Sequence, residues 1–85
     1  MNKKCCELFE KAKRAPKNIR FAEIGFLCEC IGVKLERIRG SHHIYRSGCP
    51  FFLISLQKMK DGKAKPYQVR QLGNFIEENN LISKE

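Results

Sequence analysis

The stretch VKLERIRGSHHIYRSGCPFFLISLQ, residues 33–57, decides the fold. Two small-residue breaks divide it. Gly40-Ser41 separates Val33–Arg39 from His42–Arg46, and Ser47-Gly48-Cys49-Pro50 separates that segment from Phe51–Gln57. Runs of this length bounded by glycine, serine and proline read as short strands joined by turns. In the third run Phe52, Ile54 and Leu56 alternate with Leu53, Ser55 and Gln57, so the first three are expected to face a core. The first run alternates imperfectly. In the second, His42, Ile44 and Arg46 share one face, and His43 and Tyr45 share the other. Tyr45 has the bulk of a core residue, which would turn His42 outward. Ile44 is also a fair core residue, so the inverse orientation stays open.

Helical patterns flank the strands. Residues 21–31 place Phe21, Ile24, Cys28 and Ile31 on one stripe, widened by Leu27, and Gly32 is suited to stop the helix. Gly25 inside it costs roughly 1 kcal/mol against alanine. Residues 2–14 read as a weakly amphipathic helix with Cys5, Leu8 and Ala12 on one side, ended by Pro16; loose attachment is expected. A last helix opens at Pro66, buries Val69, Leu72 and Ile76 with Phe75 beside them, and ends near Asn79-Asn80. The order is helix, helix, strand, strand, strand, helix. The simplest arrangement is an α+β domain with a three-stranded antiparallel sheet covered by helices on one face. At 85 residues the chain is one domain, 1–85.

Charge points to the partner. Between residues 31 and 70 nine cations face two acids, which leaves +7 of the total +8 there. Such a zone suits nucleic acid. Both histidines lie inside it, after Arg37 and Arg39 and before Arg46. An imidazole titrates close to neutral pH and can take or give a proton there. Lys63 and Lys65 precede the last helix, whose positive end favours an anion, while Arg70 and Tyr67 project from its first turns.

No glycine-rich phosphate loop, carboxylate cluster or zinc spacing is present. If the chain cuts nucleic acid, the expectation is cleavage without a metal or other cofactor. RNA suits this best, because its 2′-OH is an internal nucleophile that one histidine can deprotonate. The five cysteines lack a Cys-x-x-Cys pair, and their odd number argues for reduced, apolar thiols. No apolar run is long enough to export or span, so a cytoplasmic protein without membrane contact is expected.

The segment Lys34-x-x-Arg37-x-x-Gly40-Ser41-His42-His43-Ile44-Tyr45, followed by Lys63-Ala64-Lys65-Pro66-Tyr67-Gln68-Val69-Arg70-Gln71-Leu72, resembles the HicA toxins of HicAB toxin–antitoxin pairs. The resemblance covers residues 18–81 and leaves the N-terminal helix as an addition. It implies a fold like the double-stranded RNA-binding domain and cleavage of mRNA by the histidine of the Gly-Ser-His motif. That position is His42, with His43 as the alternative. The residues themselves point to an RNA surface drawn from Arg37, Arg39, Ser41, Arg46, Lys63, Lys65, Tyr67 and Arg70. The partner the resemblance implies is a HicB-type antitoxin that masks this surface. A non-catalytic RNA-binding module of the same fold, or a domain that only docks an antitoxin, are the alternative readings.

Overall fold

The structure is a computed structural model and describes residues 2–82. Helix α1 runs over Lys3–Arg14, and a single 3-10 turn, Pro16–Asn18, leads to helix α2, Phe21–Cys30. Strands β1, Lys34–Arg39, β2, His42–Gly48, and β3, Phe51–Leu56, precede helix α3, Pro66–Glu78. The strands form one antiparallel sheet in the order β1-β2-β3. This is the expected α+β architecture.

Local chemistry explains the element ends. The Asn2 side chain accepts from the Lys4 amide at 2.7 Å and caps α1. The Glu23 carboxylate accepts from the Arg20 amide at 2.9 Å, which starts α2. At the end of α2, Gly32 adopts φ 80°, and the amides of Gly32 and Val33 bond back to Glu29 and Cys28. This closure needs a left-handed residue after the helix, which glycine supplies cheaply. Gly40 plays a related part in the β1–β2 hairpin, with φ 59° between the paired residues Arg39 and His42.

Register divides the sheet into two faces. Tyr45 pairs with Ile54 and His43 with Leu56, and all four point toward the helices. Ile44 pairs with Ser55 and Arg46 with Leu53, on the opposite, open face. A bulge between Leu35 and Arg37 explains the imperfect alternation of β1. The extra residue resets the pattern, so that Leu35 and Ile38 share the helix side while Arg37 and Arg39 share the open face.

The core joins Ile19, Ile24, Leu27, Cys28 and Val33 to Tyr45, Ile54, Leu56, Leu72 and Ile76. Phe52 and Phe75 stack with ring centroids 4.0 Å apart. Ala64 is fully buried and its amide donates to the Ile19 carbonyl. The basic loop before α3 is thereby pinned to the segment that leads into α2. Burial, with the Glu29 charge adding to it, pushes the Cys28 thiol up to about 12, and it stays protonated. Burial likewise raises the Tyr45 phenol, with Cys28 and Glu29 contributing.

Two expectations about the N-terminus need correction. The helix is not loosely attached, because Phe9 joins Cys5, Leu8 and Ala12 in a continuous buried stripe. Nor are all the thiols reduced: Cys5 and Cys30 form a disulfide that ties α1 to the end of α2. Cys6, Cys28 and Cys49 take no part in a disulfide.

Gly25 has a packing role. A β-carbon there would lie 2.9 Å from the Tyr45 hydroxyl. Gly25→Ala is therefore expected to destabilise the protein by about 1 kcal/mol. An overpacking penalty of about 1–3 kcal/mol exceeds a helix-propensity gain of about 1. Combining it with Tyr45→Phe, which removes the obstructing oxygen, should recover most of the loss in urea unfolding. No recovery would place the strain elsewhere.

Candidate nucleic-acid interface

The open face of the sheet carries Arg37 and Arg39 from β1, His42, Ile44 and Arg46 from β2, and Phe51, Leu53 and Ser55 from β3. The inward turn of Tyr45 sets this arrangement, since a strand that buries Tyr45 must expose its neighbours. A hollow of about 510 Å³ opens at one end of the face, lined by Arg39, Gly40, His42, Ile44 and Ser55.

His42 is exposed, and its Nδ1 lies 3.1 Å from the Ser55 hydroxyl oxygen. In the tautomer with a proton on Nδ1, that nitrogen donates to Ser55 Oγ. Nε2 then presents its lone pair away from the bond. A hydroxyl on the neighbouring strand thus fixes one edge of the ring and leaves the other available. Arg39 stands opposite His42 across the hairpin, and Arg37 stands opposite Ile44.

A second set of bonds ties the Gly-Ser-His turn to α3. Gln57 Nε2 donates to Ser41 Oγ at 3.5 Å, and Lys65 Nζ donates to Gln57 Oε1 at 3.0 Å. The Gln57 amide donates to Gln68 Oε1 at 3.1 Å, and Gln68 Nε2 donates to the hydroxyl of exposed Tyr67 at 3.3 Å. Gln68, a buried polar residue, therefore fixes the end of β3 against the first turn of α3. Ser41, Lys65 and Tyr67 consequently belong to one bonded group around Gln57.

The other residues expected at the surface separate. Arg46 is on the open face, 3.6 Å from the Glu36 carboxylate, with its guanidinium 5.5 Å from the centre of the Phe51 ring. Lys63 instead reaches Asn18 at 3.5 Å, beside the 3-10 turn. Arg70 lines a groove between α1 and α3 with Lys13, Pro16 and Asn74. The docking of α3 turns it away from the His42 hollow. His43 faces the helices, its ring edge-on to Phe21 at 4.9 Å, with Nδ1 buried and unpartnered.

Sequence reading missed Ser55 and Gln57 as members of this group. Alternation in Phe51–Gln57 already assigned both to the face away from the core. What it lacked was the strand register that sets Ser55 beside His42. Among the described residues no cluster of His, Cys, Asp and Glu has the makings of a metal site, and no helix is long and apolar enough to cross a membrane.

Comparison of the chain with protein-family models, with curated proteins and with solved structures yields no match. What the fold and site define is a basic α+β domain with an exposed, oriented histidine on an open cationic sheet face.

Proposed function

We propose that this chain is a ribonuclease of the HicA type, which binds mRNA on its open sheet face and cleaves it with His42. The observation that carries the reading is His42 itself, held through Nδ1 by Ser55 in a hollow beside Arg39. Nε2 removes the proton of a ribose 2′-OH. The 2′-oxygen attacks the adjacent phosphorus, the P–O5′ bond breaks, and a 2′,3′-cyclic phosphate remains. The 5′-oxygen leaves with a proton returned by the imidazolium or by water. Arg39, which lines the hollow, offsets the charge that builds on the phosphorane. No metal or cofactor takes part.

Support comes from three sides. The open face concentrates cations, which is what phosphate binding requires. The order helix, strand, strand, strand, helix from α2 to α3 is that of the double-stranded RNA-binding-domain fold. The Gly-Ser-His and Lys-x-Lys-Pro-Tyr segments resemble the toxin family, and hydrogen bonds through Gln57 join the two segments. In this reading an acidic HicB-type antitoxin covers the same face in the cytoplasm and blocks RNA from reaching His42.

The purified protein should cut RNA in the presence of EDTA and leave 2′,3′-cyclic phosphate ends. A single 2′-deoxy substitution at the cleaved position should abolish that cut. RNA held in a salt-sensitive complex but never cut would reject catalysis and leave a binding module. Absence of any RNA binding, with tight capture of an acidic protein partner, would reject both.

A further inference from the structure

A second hollow, of about 370 Å³, continues the first along the open face. It shares Ile44 and Ser55 with the His42 hollow and extends to Arg37, Arg46, Leu53 and Phe51. Its character differs from that of the first. Phe51 is 61% exposed and Leu53 49%, and the Arg46 guanidinium lies over the Phe51 ring. Scattered apolar side chains on a surface are ordinary. Here an aromatic ring, a guanidinium and two aliphatic side chains line one hollow, which adjoins that of the oriented histidine.

We infer that this hollow is a base-binding subsite in which Phe51 stacks on an unpaired base of the RNA, so that the enzyme selects single-stranded over duplex RNA. The inference rests on the reading of the face as an RNA site and adds to it a substrate form and a residue. An unpaired base has a free π-face, and proteins that read single-stranded RNA stack such bases on aromatic rings and on guanidinium planes. A duplex offers phosphates, 2′-hydroxyls and groove shape, but no base face. It would meet the arginines and leave Phe51 unused. Ser55 and Phe51 are four residues apart on one strand, about 13 Å. The stacked base therefore belongs to a nucleotide beyond the one being cut.

Charge argues for RNA rather than a second copy of the chain. Self-association through this face would bring Arg37, Arg39 and Arg46 of two copies together, with Glu36 as the acid that the linings of the two hollows supply to each. Like charges brought together in an interface oppose association. A polyanion with flat apolar bases satisfies both the arginines and the ring.

The test uses protein carrying His42→Ala, which holds RNA without consuming it. Its affinity for a short single-stranded oligonucleotide is compared with that for the same sequence as a duplex. Phe51→Ala on this background should weaken single-strand binding by roughly 5- to 150-fold, the range for losing one stacked base. Phe51→Trp should keep the affinity, and the duplex should be indifferent to both changes. A 2-aminopurine placed in the oligonucleotide should be quenched on binding, and Phe51→Ala should relieve the quenching. Single-strand affinity unchanged in Phe51→Ala would overturn the subsite while leaving the ribonuclease reading intact. An equal loss on duplex would overturn it too, as would a shift from dimer to monomer caused by the substitution. Absence of RNA binding at low salt in the parent protein would remove both the subsite and the reading beneath it.

Discussion

His42→Ala is expected to lower RNA cleavage by about 10²- to 10⁴-fold, the contribution of one well-placed general base. The urea unfolding midpoint should hardly move. His42 is exposed, and its ring bonds to one partner, Ser55, which is itself on the open face. Surface substitutions of this kind change stability by about 0.5 kcal/mol or less. The adjacent histidine supplies the control. His43 packs edge-on against Phe21 on the helix side of the sheet. His43→Ala should therefore lower stability, by about 1 kcal/mol, because it removes partly buried ring surface. Cleavage by the folded fraction should persist. Should His43→Ala remove cleavage at full stability, and His42→Ala spare it, the assignment of the base would be reversed. Gradual loss of binding in both variants without a change in the cleaved product would exclude a base at either position.

Much of the fold was legible because it depends on local pattern. The three strands, the glycine that ends α2 and the proline that opens α3 follow from residue types at fixed offsets. The orientation of β2 was not legible, since Ile44 and Tyr45 are both acceptable in a core. The Tyr45 hydroxyl settles it by fitting against α2 where Gly25 lacks a β-carbon. That contact joins residues twenty positions apart and leaves no trace in either local segment. The same reasoning applies to the site. His42 and the flanking arginines were visible as a motif, but Ser55 becomes its partner only through strand register. Lys65 and Lys63 read alike as lysines before a helix. Folding sends one to Gln57 and the other to Asn18. Arg70 is one turn into α3, and the way that helix packs on α1 carries it to a different groove.

Reducing the Cys5–Cys30 bond is expected to cost about 3.5 kcal/mol of stability, the loop-closure entropy that the chain-entropy model assigns to a crosslink spanning 25 residues. Against the 5–15 kcal/mol typical of a whole domain, this is a large share. Urea unfolding with and without reductant, and of the Cys5→Ser/Cys30→Ser double variant, measures it directly. Both should show a lower midpoint. Titration of the protein as isolated should find three reactive or unmaskable thiols, those of Cys6, Cys28 and Cys49, rather than all five cysteines. Cys28 should react only after unfolding, because it is buried and stays protonated. Reduced protein should nevertheless remain folded in the absence of denaturant. Leu8, Phe9 and Ala12 belong to the hydrophobic core, and Lys13 pairs with Glu77 of α3 at 2.7 Å. Burying a leucine or a phenylalanine contributes roughly 1.5–3 kcal/mol each, enough to keep α1 docked. In the proposed cytoplasmic setting the bridge would be open, because a reducing cytoplasm opens most disulfides. The His42 hollow lies on the opposite face of the sheet from α1 and α2. RNA cleavage should therefore be equal in the oxidised and reduced proteins at temperatures where both are folded. A cleavage rate that rises or falls with the bridge, at constant folded fraction, would show that α1 communicates with the open face.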